Sequence, residues 1–263
     1  MSAQEAAPSA LAEWWRVSRL SIRMVQRMAA QRGLRHALGL AWAGLGGAIR
    51  GQGLPHTPEV NALLWAHYDW SRGGEEWSET PEWTASVVEH LLVPHVPPGS
   101  RVLEIGPGAG RWTQHLLPRA ARLVVVDVTP ECIELCRTRF QAFPHLEYAV
   151  TTGSDVSHVA DASIDRIWSW DVFIHIGIDD IARYLQGFGR VLVPGGRGLI
   201  QHAAAPYGRG WRTALPAERM AAFCRSAGLD IVEQFNAWDQ GRRRTPTPAD
   251  LITVFAKPAG PGR

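Results

Sequence analysis

The run Arg101-Val-Leu-Glu104-Ile-Gly106-Pro-Gly108-Ala-Gly110-Arg111-Trp112 ends an apolar stretch in an acid and then alternates three glycines before an aromatic. Few backbone paths suit that pattern. Glycines at alternate positions let the chain bend sharply and bring its N–H groups close to a ligand that a side chain would block. The run therefore reads as a strand, a tight turn and a helix start, the arrangement of nucleotide-binding turns. A dinucleotide fingerprint would carry glycine at 111, where Arg111 stands. About twenty residues further on, Leu123-Val-Val-Val-Asp127 reads as a second buried strand, and its terminal carboxylate suits a ribose diol. The plainer alternative is an acid that only ends a strand.

After Pro98 the alternation is regular, with strands expected near 101–106, 122–128, 146–151, 164–170, 197–203, 229–237 and 250–256. Helical patterns separate the first five, which builds a parallel sheet covered on both faces, and the last two strands form a hairpin across the loop Asp239 to Pro248. The fold class is α/β, a doubly wound, Rossmann-like sheet. At 263 residues, 46% hydrophobic and 20% charged, the chain suits one such domain plus an extension. Three stretches are expected: a basic amphipathic extension over 1–55, a helical lid over 56–97 and the main domain over 98–263. Thr80 is an N-cap candidate, with Pro81 at the first helical position.

The Gly-x-Gly-x-Gly turn after Glu104 resembles motif I of the class I S-adenosylmethionine-dependent methyltransferases. The strand ending Trp168-Ser169-Trp170-Asp171-Val-Phe173-Ile-His175 is similar to that family's motif IV, and Leu192-Val193-Pro194-Gly195-Gly196 to its turn before strand 5. The resemblance covers residues 56–256. It implies seven strands in the order 3-2-1-4-5-7-6, with strand 7 antiparallel, and S-adenosyl-L-methionine as cofactor. It places Glu104, Gly106, Gly108 and Gly110 at the cofactor's amino-acid end, Asp127 with Val128 at the ribose, Gly153, Ser154 and Asp155 at the adenine, and Trp170 in the cofactor wall. Asp155 in an Asx turn is the rival reading.

His175 is the candidate general base for a hydroxyl proton, since a histidine titrates near the working pH. Asp171 would orient the imidazole or take the proton itself; a loop carboxylate bonded to backbone amides is its plain alternative. His202 is a third catalytic candidate, weighed against a buried, hydrogen-bonded strand end. Asp171, His175 and His202 lack the local spacing of zinc ligands, so no metal is expected. Tyr68, Trp70 and Trp77, beside Gly73-Gly74, are candidate lid residues or hydrophobic staples. Among relatives, the motifs are most similar to small-molecule enzymes of glycan or secondary-metabolite tailoring. O-methylation is the expected reaction; nitrogen or carbon acceptors, and a non-catalytic subunit that binds the cofactor beside a partner enzyme, stay open.

Residues 1–55 carry seven arginines against two glutamates, interleaved with Trp14, Trp15, Ile22 and Val25 at helical spacing. Packing against the main domain or a sister subunit, contact with an anionic membrane surface, and partial disorder are the three readings of this segment, whose apolar run is too short to span a bilayer. A net charge of +2 gives no ground for a nucleic-acid partner. Cys132, Cys136 and Cys224 form no Cys-x-x-Cys pair and suit a reducing compartment, so a cytoplasmic protein, peripheral to a membrane at most, is expected.

Overall fold

Leu123, Val124, Val125 and Val126 are each no more than 2% exposed, which requires apolar cover on both faces of their strand. A computed structural model describes residues 56–206 and 212–260, and the expectations for residues 1–55 lie outside them. The strands are β1 (Ser100–Ile105), β2 (Ala120–Asp127), β3 (Leu146–Val150), β4 (Ile164–Ser169), β5 (Leu192–Ala203), β6 (Asp230–Phe235), β7 (Ala237–Trp238), β8 (Arg243–Arg244) and β9 (Asp250–Ala256). Seven form one sheet of order β3-β2-β1-β4-β5-β9-β6, while β7 and β8 pair as a small ribbon. Strand β9 lies between β5 and β6 and is antiparallel to both. This is the expected order. The loop before β9 differs from a plain hairpin connection by holding the ribbon, whose turn passes through Asp239 and Gln240 at positive φ.

The helices are α1 (Pro58–Ala66), α2 (Pro81–Val87, continuing through a π turn Val88–Leu92 and Val93–His95), α3 (Thr113–Leu116), α4 (Pro130–Arg139), α5 (Ile178–Val191) and α6 (Ala217–Ser226). Thr80 caps α2 as expected, its hydroxyl accepting from the Trp83 N–H at 3.1 Å. The π turn leads into Pro94, which has no N–H to return to the preceding turn. Side-chain alternation along the strands splits the core into two layers. Leu103, Val124, Ile167, Ile200 and Phe255 pack with α5 and α6 on one face. Val102, Leu123, Trp168, Leu199 and Val254 pack with α2 and α4 on the other.

Strand β5 starts at Leu192, where a turn was expected up to Gly196. Lys257, just past β9, donates its N–H to Gly196 and accepts from Gly195, both at 2.9 Å, and this pairing joins the Gly195–Gly196 turn to the sheet. At the sheet centre β1 and β4 are parallel neighbours, yet the chain runs from β1 to β2 and β3 before returning to β4. The loops at their carboxyl ends therefore part, leaving a crevice where ligands of open α/β sheets collect. Among the described residues no helix is long and apolar enough to cross a membrane.

Candidate active site

A cavity of about 340 Å³ opens in that crevice. Its floor starts at the turn after β1, where Gly106 and Gly108 sit at φ 70° and 56°. A Cβ on Gly106 would come within 2.4 Å of Val172, and one on Gly108 within 2.7 Å of the Trp70 ring. The two glycines thus supply a left-handed backbone and let Val172 and Trp70 pack directly onto the turn. Glu104 lies beneath the turn, 1% exposed, and accepts from the Thr113 hydroxyl at 2.7 Å. Burial raises its pKa to about 8, and neighbouring Asp127 adds to the shift. Asp127, at the end of β2, lines the cavity, accepts from the Thr129 N–H at 2.8 Å and is pushed up to about 6 by burial.

The loop after β4 forms the facing wall. Asp171 adopts a left-handed φ of 60°, which a non-glycine residue takes only where its surroundings hold it. They do so twice: its N–H donates to Gln201 Oε1 at 2.8 Å, and its carboxylate pairs with the Arg111 guanidinium. Gln201 in turn donates to Asp250 Oδ2 at 2.8 Å, and Asp250 pairs with Arg212. Along the cavity wall a polar chain therefore runs from the glycine turn to the start of β9. His175 follows within the same loop. Its N–H donates to the Val172 carbonyl at 2.9 Å, and its carbonyl accepts from the Asn61 amide of α1 at 2.8 Å. Both backbone groups are tied, so the imidazole is carried on a fixed base.

The roof is aromatic. Trp65, Trp70 and Trp77 line the cavity, with Tyr68 behind them, its ring centroid 4.8 Å from that of Trp70 and 5.4 Å from that of Trp77. Trp65 and His175 are 5.3 Å apart, so the roof meets the motif IV wall at that imidazole. The indole N–H of Trp70 donates to the Trp65 carbonyl at 2.9 Å, which folds the segment over Gly108.

Of the residues expected at the site, Gly106, Gly108, Asp127, Val128, Gly153, Trp170, Asp171, His175, Trp70 and Trp77 line the cavity. The others stand elsewhere. Glu104 lies below the turn, Gly110 packs against Phe140, Tyr68 backs the roof, and Ser154 accepts from Arg183 at 3.1 Å. Asp155 requires a correction: its carboxylate accepts from the hydroxyls of Thr152 at 2.6 Å and Ser157 at 2.7 Å, which lower its pKa to about 2 and hold it in its own turn, away from the cavity. His202 requires another. Completely buried, with Nε2 at 2.8 Å from the Thr253 hydroxyl, it has its pKa lowered to about 4 by desolvation and does not reach the cavity. Alternation along β5 explains this, since Gln201 serves the Asp171 loop and its neighbour must point the other way.

Sequence reasoning missed Trp65, His56, Asn61, Arg111, Arg212 and Asp250, all on the cavity wall. Arg111 had served only to exclude a dinucleotide turn, and Asp250 depends on a strand pairing that no local pattern encodes. Among the described residues no group of three or more His, Cys, Asp or Glu side chains is placed to hold a metal ion.

Residues 102–196 match the family model described as a methyltransferase domain. Nodulation protein S of Rhizobium tropici is 33% identical over 129 residues, 48% of this chain and 52% of that protein. A demethylmenaquinone methyltransferase of Tropheryma whipplei is 29% identical over 108 residues, 41% of this chain and 44% of that protein. The chain thus spans about half the length of the curated relatives it matches. Among solved structures, the N-methyltransferase NodS from Bradyrhizobium japonicum, in complex with S-adenosyl-L-homocysteine, superposes with a TM-score of 0.60 at 22% identity, covering 77% of this chain and 99% of that one.

Proposed function

We propose that this chain, which belongs to the class I S-adenosylmethionine-dependent methyltransferases, methylates a small-molecule acceptor held beneath the tryptophan roof, with His175 receiving the acceptor's proton. One observation carries the reading: a side-chain-free turn at Gly106 and Gly108 and a ribose-suited carboxylate at Asp127 open onto the same cavity as His175. When bound, the cofactor supplies a methyl group activated on a sulfonium sulfur.

The chain's own residues have the remaining tasks. The turn lays its backbone along the cofactor's amino-acid end, and a Cβ at Gly106 or Gly108 would push against Val172 or Trp70, which pack onto that turn. Asp127 receives the ribose hydroxyls, with one oxygen already fixed by Thr129. The acceptor lies between Trp65, Trp77 and the motif IV loop, where apolar walls keep water from the reacting atoms. A neutral imidazole at His175, on a backbone fixed by Val172 and Asn61, takes the proton as the acceptor atom attacks. Asp171 is committed to Arg111 and to Gln201, so it shapes the loop and the base role falls to His175.

Oxygen is the acceptor atom favoured by a single histidine base. Nitrogen is the second reading, favoured by the N-methyltransferase name of NodS and met by the same proton transfer. Calorimetric titration with S-adenosylmethionine and with a nicotinamide dinucleotide tests the cofactor. Methyl incorporation into a panel of hydroxylated and amine-bearing sugars and aromatics, with the product's methylated atom read by NMR, tests the rest. Heat with the dinucleotide alone would overturn the reading. Cofactor binding without incorporation into any acceptor would favour a non-catalytic subunit.

A further inference from the structure

Trp77 lines the cavity and is 44% exposed, which puts it at the cavity's mouth. A lone exposed tryptophan would need no explanation, but this one is mounted. Gly73 and Gly74, at φ 67° and 91°, lead into the short 3-10 turn Glu75–Trp77, and the Trp77 N–H donates to the Gly74 carbonyl at 3.2 Å. The Tyr68 ring lies 5.4 Å from the indole at a tilt of 32° and so backs one of its faces, while Tyr68 itself packs edge-on against Trp70 at 4.8 Å. Trp65 meets the indole at 79° with centroids 6.2 Å apart, and the two rings form a corner. Because Trp65 also packs 5.3 Å from His175, that corner leads to the proposed base. The face of Trp77 turned away from Tyr68 is left to whatever enters the cavity.

Such a face suits a flat aromatic ring, an ammonium ion or the apolar side of a sugar. The rest of the wall separates these partners. An ammonium ion drawn out of water calls for a carboxylate beside the rings, and a sugar calls for side-chain partners to its hydroxyls. Among the described residues of the cavity wall, Asp171, Asp250 and Asp180 pair with Arg111, Arg212 and Arg183, and Asp127 goes to the ribose on the reading above. The Asn61 amide is bonded to the His175 carbonyl. A flat ring asks for none of these groups and needs only the two indoles. We infer that Trp77 is the stacking platform of the acceptor, and that the acceptor carries its reacting hydroxyl or amine on a flat aromatic ring, flanked by Trp65 and directed toward His175. The inference rests on the cofactor reading above and names the acceptor class for it.

The test is calorimetric titration of the full chain, saturated with S-adenosylhomocysteine, with three probes: 2-naphthol, its saturated counterpart decahydro-2-naphthol, and glucosamine, a sugar that carries an ammonium group. 2-Naphthol is expected to bind about fivefold to tenfold tighter than decahydro-2-naphthol, and glucosamine more weakly than either. Trp77→Ala should weaken 2-naphthol by about tenfold and Trp77→Phe, which keeps a ring, by about threefold. Both variants should hold S-adenosylhomocysteine within about twofold of wild type, which also shows that they fold. Equal affinity for the aromatic probe and its saturated counterpart would reduce the platform to an apolar wall and overturn the inference. So would tighter binding of glucosamine, no binding of 2-naphthol to the loaded protein, a 2-naphthol affinity unchanged by Trp77→Ala, or an equal loss of 2-naphthol and S-adenosylhomocysteine in that variant. Wild-type protein that does not bind S-adenosylhomocysteine would overturn the cofactor reading and this inference with it.

Discussion

On either side of the glycine turn the protein buries an acid and a base. Arg111 pairs with Asp171, whereas Glu104, enclosed under the turn, holds its proton up to about pH 8 against an ordinary value of 4.5. Raising the pH through that window removes a proton from the unfolded chain only, so Glu104 lowers stability as pH rises. His95 and His202, both lowered to about 4, act in the opposite sense, but only below 6.5, and the Asp127 contribution ends near 6. Between pH 6.5 and 8 stability should therefore fall, by at most about 1.4 kcal/mol per pH unit. Thermal unfolding midpoints across that interval check this, and Glu104→Gln should flatten the profile. A wild-type midpoint that rises instead would refute the buried, protonated Glu104. His175→Ala should cut turnover by about a hundredfold while leaving S-adenosylhomocysteine affinity within about twofold, as expected for a group that acts only on the reacting proton. Asp127→Ala should do the reverse and weaken that ligand by about tenfold or more. The places of these two residues on the cavity wall were legible in the sequence, because a strand end and the motif spacing point to them. His202 misled for a local reason, since one step along a strand turns a side chain to the other face.

At the level of elements, the α2 start was readable to the residue. Thr80→Ala should lower stability by about 1 kcal/mol, measured by urea unfolding, because the Trp83 N–H loses its acceptor. The glycine turn is the other readable element. Gly108→Ala places a Cβ 2.7 Å from the Trp70 ring on a backbone at φ 56°, so cofactor affinity should drop even where the fold survives. Titration with S-adenosylhomocysteine checks this, and unchanged affinity would show that the turn can shift. What stayed hidden was the function of aromatic crowding. Trp65 carries no motif, and only the packing of α1 against the motif IV loop, through Asn61 and His175, sets it on the cavity wall. The same limit applies to β5, whose first residues resemble a turn until Lys257 pairs with them.

At the level of the whole molecule, the sheet order sets the site, because the reversal between β1 and β4 parts the loops that form its floor and facing wall. The basic residues of 1–55 make an independent claim: on the membrane-surface reading the full chain co-sediments with anionic liposomes more than a chain lacking residues 1–50, and equal recovery would remove that reading. The sequence alone determined the α/β class, nearly every strand, the glycine turn, and the positions of Asp127 at a strand end and of His175 in the loop after β4, because those features depend on periodicity and on backbone demands that act over a few neighbours. Only the tertiary structure decided that Arg111 reaches Asp171, that Gln201 links Asp171 to Asp250, and that Asp155 and His202 belong elsewhere. Those outcomes depend on which strands lie side by side and which face each residue presents, and both are settled by packing the whole chain.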